Sequence, residues 1–144
     1  MADVFNVAAY ILKKKGPMTA MKLEKLVYYS QAWSLVWDER PLFSARIEAW
    51  ANGPVVPKLY RWHRGQFNLR GCSEGDPSNL TNDQRETIDG VLRFYGDKPS
   101  MSLSELTHRE RPWREARAGL RPGERGNREI TLDSMARYYE SISN

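Results

Sequence analysis

Apolar residues recur along most of this chain at spacings of three and four, the period of helices that each bury one face. Val4, Ala8, Ile11 and Leu12 form the first stripe, with Asp3 placed to cap its start and Gly16-Pro17 to end it. Thr19 then caps a second helix carrying Leu23, Leu26, Val27 and Trp33, which runs to about residue 37. A connection over 41–45 leads into an extended arm over 45–50. That arm turns at Gly53, where glycine takes the positive φ that closes a turn, and Pro54 suits the first position of a helix predicted over 54–64. Further on, Thr81 and Gln84 make a capping box ahead of Ile88, Val91, Leu92 and Tyr95, and Gly96 ends that helix. Ser102 and Glu105 make a second box for a short helix through Leu106, and Pro112 opens another with Trp113 and Ala116 inward. After a loop rich in Gly and Pro, an extended piece over 129–131 precedes a last helix bearing Met135, Tyr138, Tyr139 and Ile142. The expected fold class is mainly α: a single helix-rich domain over 1–144 with at most a short β-ribbon.

Composition narrows the class. A chain of 144 residues with 40% apolar and 28% charged residues can bury a real core, and no apolar run approaches the roughly 20 residues of a membrane span. The start, Met1-Ala2-Asp3, lacks the basic region of a signal peptide, so a cytoplasmic location is expected. Cys72 is the only cysteine, which excludes an internal disulfide and a cysteine-based zinc cluster. A net charge of +4 is compatible with an acidic partner or with nucleic acid and does not choose between them. Lys13-Lys14-Lys15 closes the first helix, where cations complement the helix dipole. The seven arginines from Arg109 to Arg128 are interleaved with Glu110, Glu115 and Glu124, a mixed-charge surface.

Catalytic chemistry is sparse. His63 and His108 are the only histidines and neither belongs to a metal-ligand spacing; no phosphate-cradling glycine loop and no nucleophile elbow is present. No cofactor and no metal is expected, and an enzyme is not. His108, beside Thr107 and near Trp113, is read as holding the turn before Pro112 through a hydrogen bond, and Glu48 as bonding turn amides near Gly53.

Three blocks stand out from this background. Residues 22–33 read Lys-Leu-Glu-Lys-Leu-Val-Tyr-Tyr-Ser-Gln-Ala-Trp, with Tyr28 and Trp33; residues 48–60 join Glu48, Trp50, Gly53, Pro54 and Tyr60; residues 107–116 join Thr107, His108, Pro112, Trp113 and Ala116. In that order they resemble the SocA-like or Panacea domain family, which includes phage-associated GepA-like proteins. With Ile130 and Tyr138-Tyr139 the resemblance covers nearly the whole chain, while residues 66–79 and 118–128 match nothing in the family pattern. It implies an antitoxin of a toxin-antitoxin pair that neutralises a cognate toxin, encoded by an adjacent gene, through direct protein contact. For the SocA type it further implies an adaptor that delivers the toxin to a bacterial protease.

The residues themselves suggest where such a partner would sit. Tyr28 and Tyr29 are adjacent on a helix and point about 100° apart, so only one is expected at the centre of a buried face. Tyr29, Pro57 and Tyr60 are therefore the expected partner-binding residues. A second class is a DNA-binding regulator of a phage or mobile element, in which the first two helices and the Gly16–Thr19 turn imitate a helix-turn-helix. Against it, the second helix offers only Lys22, Lys25 and Gln31 for reading bases among its Tyr, Trp and Leu, so nucleic acid is not the expected partner.

Overall fold

The computed structural model describes residues 1–143. Its elements run α1 (Val4–Lys15), β1 (Met18–Thr19), α2 (Ala20–Trp37), β2 (Glu48–Trp50), β3 (Gly53–Val55), α3 (Pro57–His63), β4 (Asn68–Leu69), α4 (Asn82–Tyr95), α5 (Ser100–Arg109), α6 (Arg111–Ala116) and α7 (Leu132–Ile142). The fold is mainly α, as the periodicity predicts. Three of the caps predicted from sequence are made: the side chains of Asp3, Thr19 and Thr81 accept from Phe5, Lys22 and Gln84 backbone N–H groups, and Gln84 completes its box on the Thr81 amide. Among the described residues no helix is long and apolar enough to cross a membrane.

Helix α2 is the axis around which the rest is assembled. It packs against α1, α4, α5 and α7 and against β3, so it is buried on nearly all sides from Leu23 to Ser34. This overturns the expectation for Tyr29: Tyr28 and Tyr29 are both in the interior, at 1% and 0% exposure. The two side chains do diverge around the helix, but both directions lead into protein, because α2 is enclosed by elements on several sides rather than laid on a surface. At Tyr138-Tyr139 the outcome differs, because α7 is amphipathic: Tyr139 is buried and Tyr138 half-exposed.

The buried phenols come with a buried acid. Tyr29 and Tyr139 each donate to the same Glu110 carboxylate oxygen at 2.7 Å, the Tyr28 and Tyr139 hydroxyls lie 3.1 Å apart, and Trp33 Nε1 donates to the Tyr95 hydroxyl at 2.9 Å. Burial pushes the Glu110 carboxyl up and the two phenol hydrogen bonds oppose that shift; burial also pushes Tyr28, Tyr29, Tyr95 and Tyr139 up. Such a network tolerates burial because its polar atoms are satisfied by one another. Gln31 does similar work at the connection after α2, accepting from the Leu42 and Phe43 amides and donating to the Phe43 carbonyl.

Two element boundaries differ from expectation. Pro54 does not open a helix; it sits in β3 opposite Ala49, and Pro57 takes the first turn of α3. The reason is steric. A residue preceding proline is pushed out of the α region, and Val56, at φ −93° and ψ 105°, is held extended by Pro57, so no helix can run from 54 through 57. Likewise α5 begins at Ser100 behind Pro99, two residues before the predicted Ser102–Glu105 box, which is not formed. The antiparallel pairing of β1 with β4 has no signal in the periodicity, since each strand has only two residues.

Candidate functional site

The β2–β3 ribbon, the N-terminal turn of α2, α3 and the loop that follows it surround an open cleft of about 920 Å³. Its walls are apolar and aromatic: Met21, Trp50, Val55, Tyr60 and Phe67 line it, and the Trp50 and Tyr60 rings meet edge to face with centroids 4.8 Å apart. Phe67 is 77% exposed. Arg64 and Arg125 also line the cleft and are exposed.

Beneath it lies a charged floor that sequence patterns do not reveal. Glu24 is 2% exposed; its carboxylate accepts from the Val56 amide at 2.9 Å and sits 2.7 Å from His63 Nε2, so it fastens both ends of the α3 entry to α2. Lys25 is fully buried, donating to the Pro54 carbonyl at 3.1 Å and the Met21 sulfur at 3.4 Å. Burial lowers its ammonium to about 8, with the neighbouring Glu24 carboxylate opposing the shift. Gly53 has φ +125°, and a Cβ there would stand 2.5 Å from Lys25 Cε. The glycine in the second block is thus required twice, for its backbone angle and for the side chain laid across it.

The other motif residues support this ribbon. Glu48 does not bond turn amides: it accepts from Trp50 Nε1 at 2.8 Å and from Arg46 at 2.9 Å, because residues two apart on a strand share a face. Trp113 donates to the Trp50 carbonyl at 2.8 Å, and Thr107 is buried with its hydroxyl on the Ser104 carbonyl. His108 acts by stacking on Trp113, ring centroids 4.0 Å apart, and its buried Nε2 has no hydrogen-bond partner among the described residues; burial lowers its pKa. The side chain is thus held by ring contact and by a hydrogen bond to the Asn52 backbone rather than by one at the turn before Pro112. Arg117, one of the interleaved arginines, is not on the surface but 5% exposed, donating to the Ala49, Arg121 and Glu124 carbonyls and lying over the Trp113 ring. It binds the family-unmatched loop over 118–128 to β2.

Of the expected partner-binding residues, the structure brings Pro57 and Tyr60 together on α3, each half-exposed, with Tyr60 in the cleft wall. Tyr29 lies in the core and offers no surface. Trp33 is buried and structural, whereas Trp50 is half-exposed and belongs to the cleft as well as to the ribbon. Phe67 and Arg125 were invisible in the sequence as site residues, since they come from segments with no periodic pattern, and Arg64 stood only as the last residue of the helix predicted over 54–64. Of the three side chains named for base reading, Lys25 and Gln31 point inward and are bonded there, while Lys22 is half-exposed.

Comparison with known proteins places these features in a family. The family described as Antitoxin SocA-like, Panacea domain, matches residues 23–114, which takes in the α2 block, the ribbon, α3 and the Thr107–Trp113 block. A protein of Caulobacter vibrioides (strain NA1000 / CB15N) named Antitoxin SocA is 38% identical over 63 residues. That match takes in 41% of this chain and 34% of the relative, so it spans about a third of the relative's length. No solved structure matches the chain. Because the family match covers well over half of the chain and contains the floor residues Glu24 and Lys25 and the wall residues Trp50, Val55, Tyr60 and Phe67, the protein belongs to the SocA-like, Panacea domain family of antitoxins.

Proposed function

We propose that this protein is an antitoxin that neutralises a cognate toxin by direct contact, with the toxin docking at the cleft between the β2–β3 ribbon and α3. Family membership supports the antitoxin role, and the observation that supports the location is the open aromatic wall of Trp50, Tyr60 and the 77% exposed Phe67. Aromatic side chains held on a rigid frame are what interface hot spots are made of, because they bury large areas at small entropic cost. The frame here is rigid: Glu24, Lys25 and Pro57 fix where α3 begins, so the wall is set before a partner arrives. Neutralisation follows from occlusion of the toxin's active surface.

Co-expression in a bacterial host with the product of the adjoining reading frame tests this. The parent chain is expected to restore growth and to copurify with the toxin, and Tyr60→Ala to weaken the complex more than about tenfold with an unchanged melting curve. Delivery of bound toxin to a protease, the adaptor route, is read in the same cells as a shortened toxin half-life. Absence of rescue and of any complex would overturn the reading.

A further inference from the structure

We infer that the segment of the partner that occupies this cleft is acidic, carrying an apolar anchor flanked by carboxylates. The inference rests on the antitoxin reading for the partner's identity as a toxin, and on the cleft alone for the chemistry. The walls supply the apolar half, since Met21, Val55, Trp50, Tyr60 and Phe67 would cover one large side chain. The charges supply the rest. The only carboxylate in the lining, Glu24, is withdrawn from any ligand by its bonds to Val56 and His63 and by its 2% exposure. Arg64 and Arg125 are exposed in the same lining, and among the described residues neither pairs with a carboxylate, whereas Lys15, Arg46 and Arg137 do. The cleft therefore presents positive charge with no internal counter-ion beside an uncovered apolar wall. Guanidinium forks beside aromatic rings suit a carboxylate-bearing peptide, with charge steering the encounter and the apolar contact holding the complex.

Single-stranded nucleic acid also combines stacking with negative charge, but it requires a basic groove that follows several phosphates. Here the lining has Arg64 and Arg125 alone as free cations, and its aliphatic members Met21 and Val55 offer nothing to a base plane.

A phage-displayed library of short random peptides panned on the 144-residue chain tests the inference, with the best-enriched peptide then titrated by fluorescence anisotropy. The expected winners pair an aromatic residue or leucine with flanking Asp or Glu. Their affinity should fall at least about tenfold in Tyr60→Ala and in the Arg64→Glu/Arg125→Glu double variant, and added salt should weaken binding to the parent more than to the charge-reversed chain. Both arginines are exposed, so melting curves are expected to be unchanged, which separates lost binding from lost fold. Winners that are neutral or basic, equal binding to the charge-reversed chain, or stronger competition by oligo-deoxythymidine than by the acidic peptide would each overturn the inference. If the parent rescues cells from the toxin and the charge-reversed chain rescues them equally, the acidic-segment inference fails while the antitoxin reading stands. If acidic peptides are selected but the parent rescues nothing, the antitoxin reading fails and the chemistry of the cleft stands.

Discussion

Replacing Gly53 by alanine probes the point where the ribbon, the buried lysine and the cleft meet. The backbone there has φ +125°, outside the range an L-residue with a Cβ adopts without strain, which costs about 1–3 kcal/mol. The added Cβ would also stand 2.5 Å from Lys25 Cε and 3.1 Å from the Thr107 hydroxyl. The lysine end has no free space to retreat into, because it is fully buried and its Nζ is held by the Pro54 carbonyl at 3.1 Å. Displacing it strands a buried ammonium and a buried carbonyl, worth about another 1–3 kcal/mol. Gly53→Ala should therefore destabilise the protein by about 2–6 kcal/mol, a large part of the 5–15 kcal/mol typical of a folded domain. Urea denaturation followed by circular dichroism measures it. A double-mutant cycle then separates the causes: in a Lys25→Ala background the clash with the lysine is gone, so Gly53→Ala should cost only the backbone strain and the 3.1 Å approach to Thr107, and the pair should show a coupling of about 1–3 kcal/mol. If Gly53→Ala unfolds at the parent's urea midpoint, or if the two substitutions are additive, the packing of Lys25 across Gly53 is not what makes glycine necessary.

Other perturbations follow from the same contacts. Tyr29→Phe keeps the stacked ring and removes one of the two phenols on Glu110, so it should cost about 1.5–3 kcal/mol in urea denaturation, against almost nothing for a surface tyrosine. For Lys25 the folded pKa, about 8, lies below the unfolded value of 10.5, so its contribution to stability is present above pH 10.5 and is lost as pH falls through 8. Between pH 7 and 9.5 the parent should gain about 2 kcal/mol relative to Lys25→Met. The tyrosines raised by burial remove stability as pH climbs past 10, but they do so equally in both chains; a difference that is flat with pH would refute the burial of a charged Lys25. Arg117→Met loses three carbonyl contacts that hold the 118–128 loop, so trypsin should cut after Arg125 much faster than in the parent, with α-helical content unchanged.

The local period of the chain was enough to place the helices and most of their caps, because Asp3, Thr19 and Thr81 act on amides within three residues of themselves and need nothing from the rest of the molecule. The motif blocks likewise announced a turn at Gly53 and a family, since backbone angles and short spacings are written locally. Where one proline overruled another the information was also in the chain: Pro57 denies Val56 the helical region, a stronger constraint than the suitability of Pro54 for a first turn. What no local pattern could settle is which side of α2 faces water. That depends on α4, α5 and α7 arriving from distant parts of the chain, and their arrival enclosed Tyr29 and placed Lys25 and Glu24 where sequence alone would leave them solvated. The cleft has the same origin. Met21, Trp50, Tyr60, Phe67 and Arg125 lie far apart in sequence and become one surface only when the ribbon, α3 and the loop beyond Arg117 are folded onto α2, a long-range packing outcome that neither hydrophobic period nor charge count encodes.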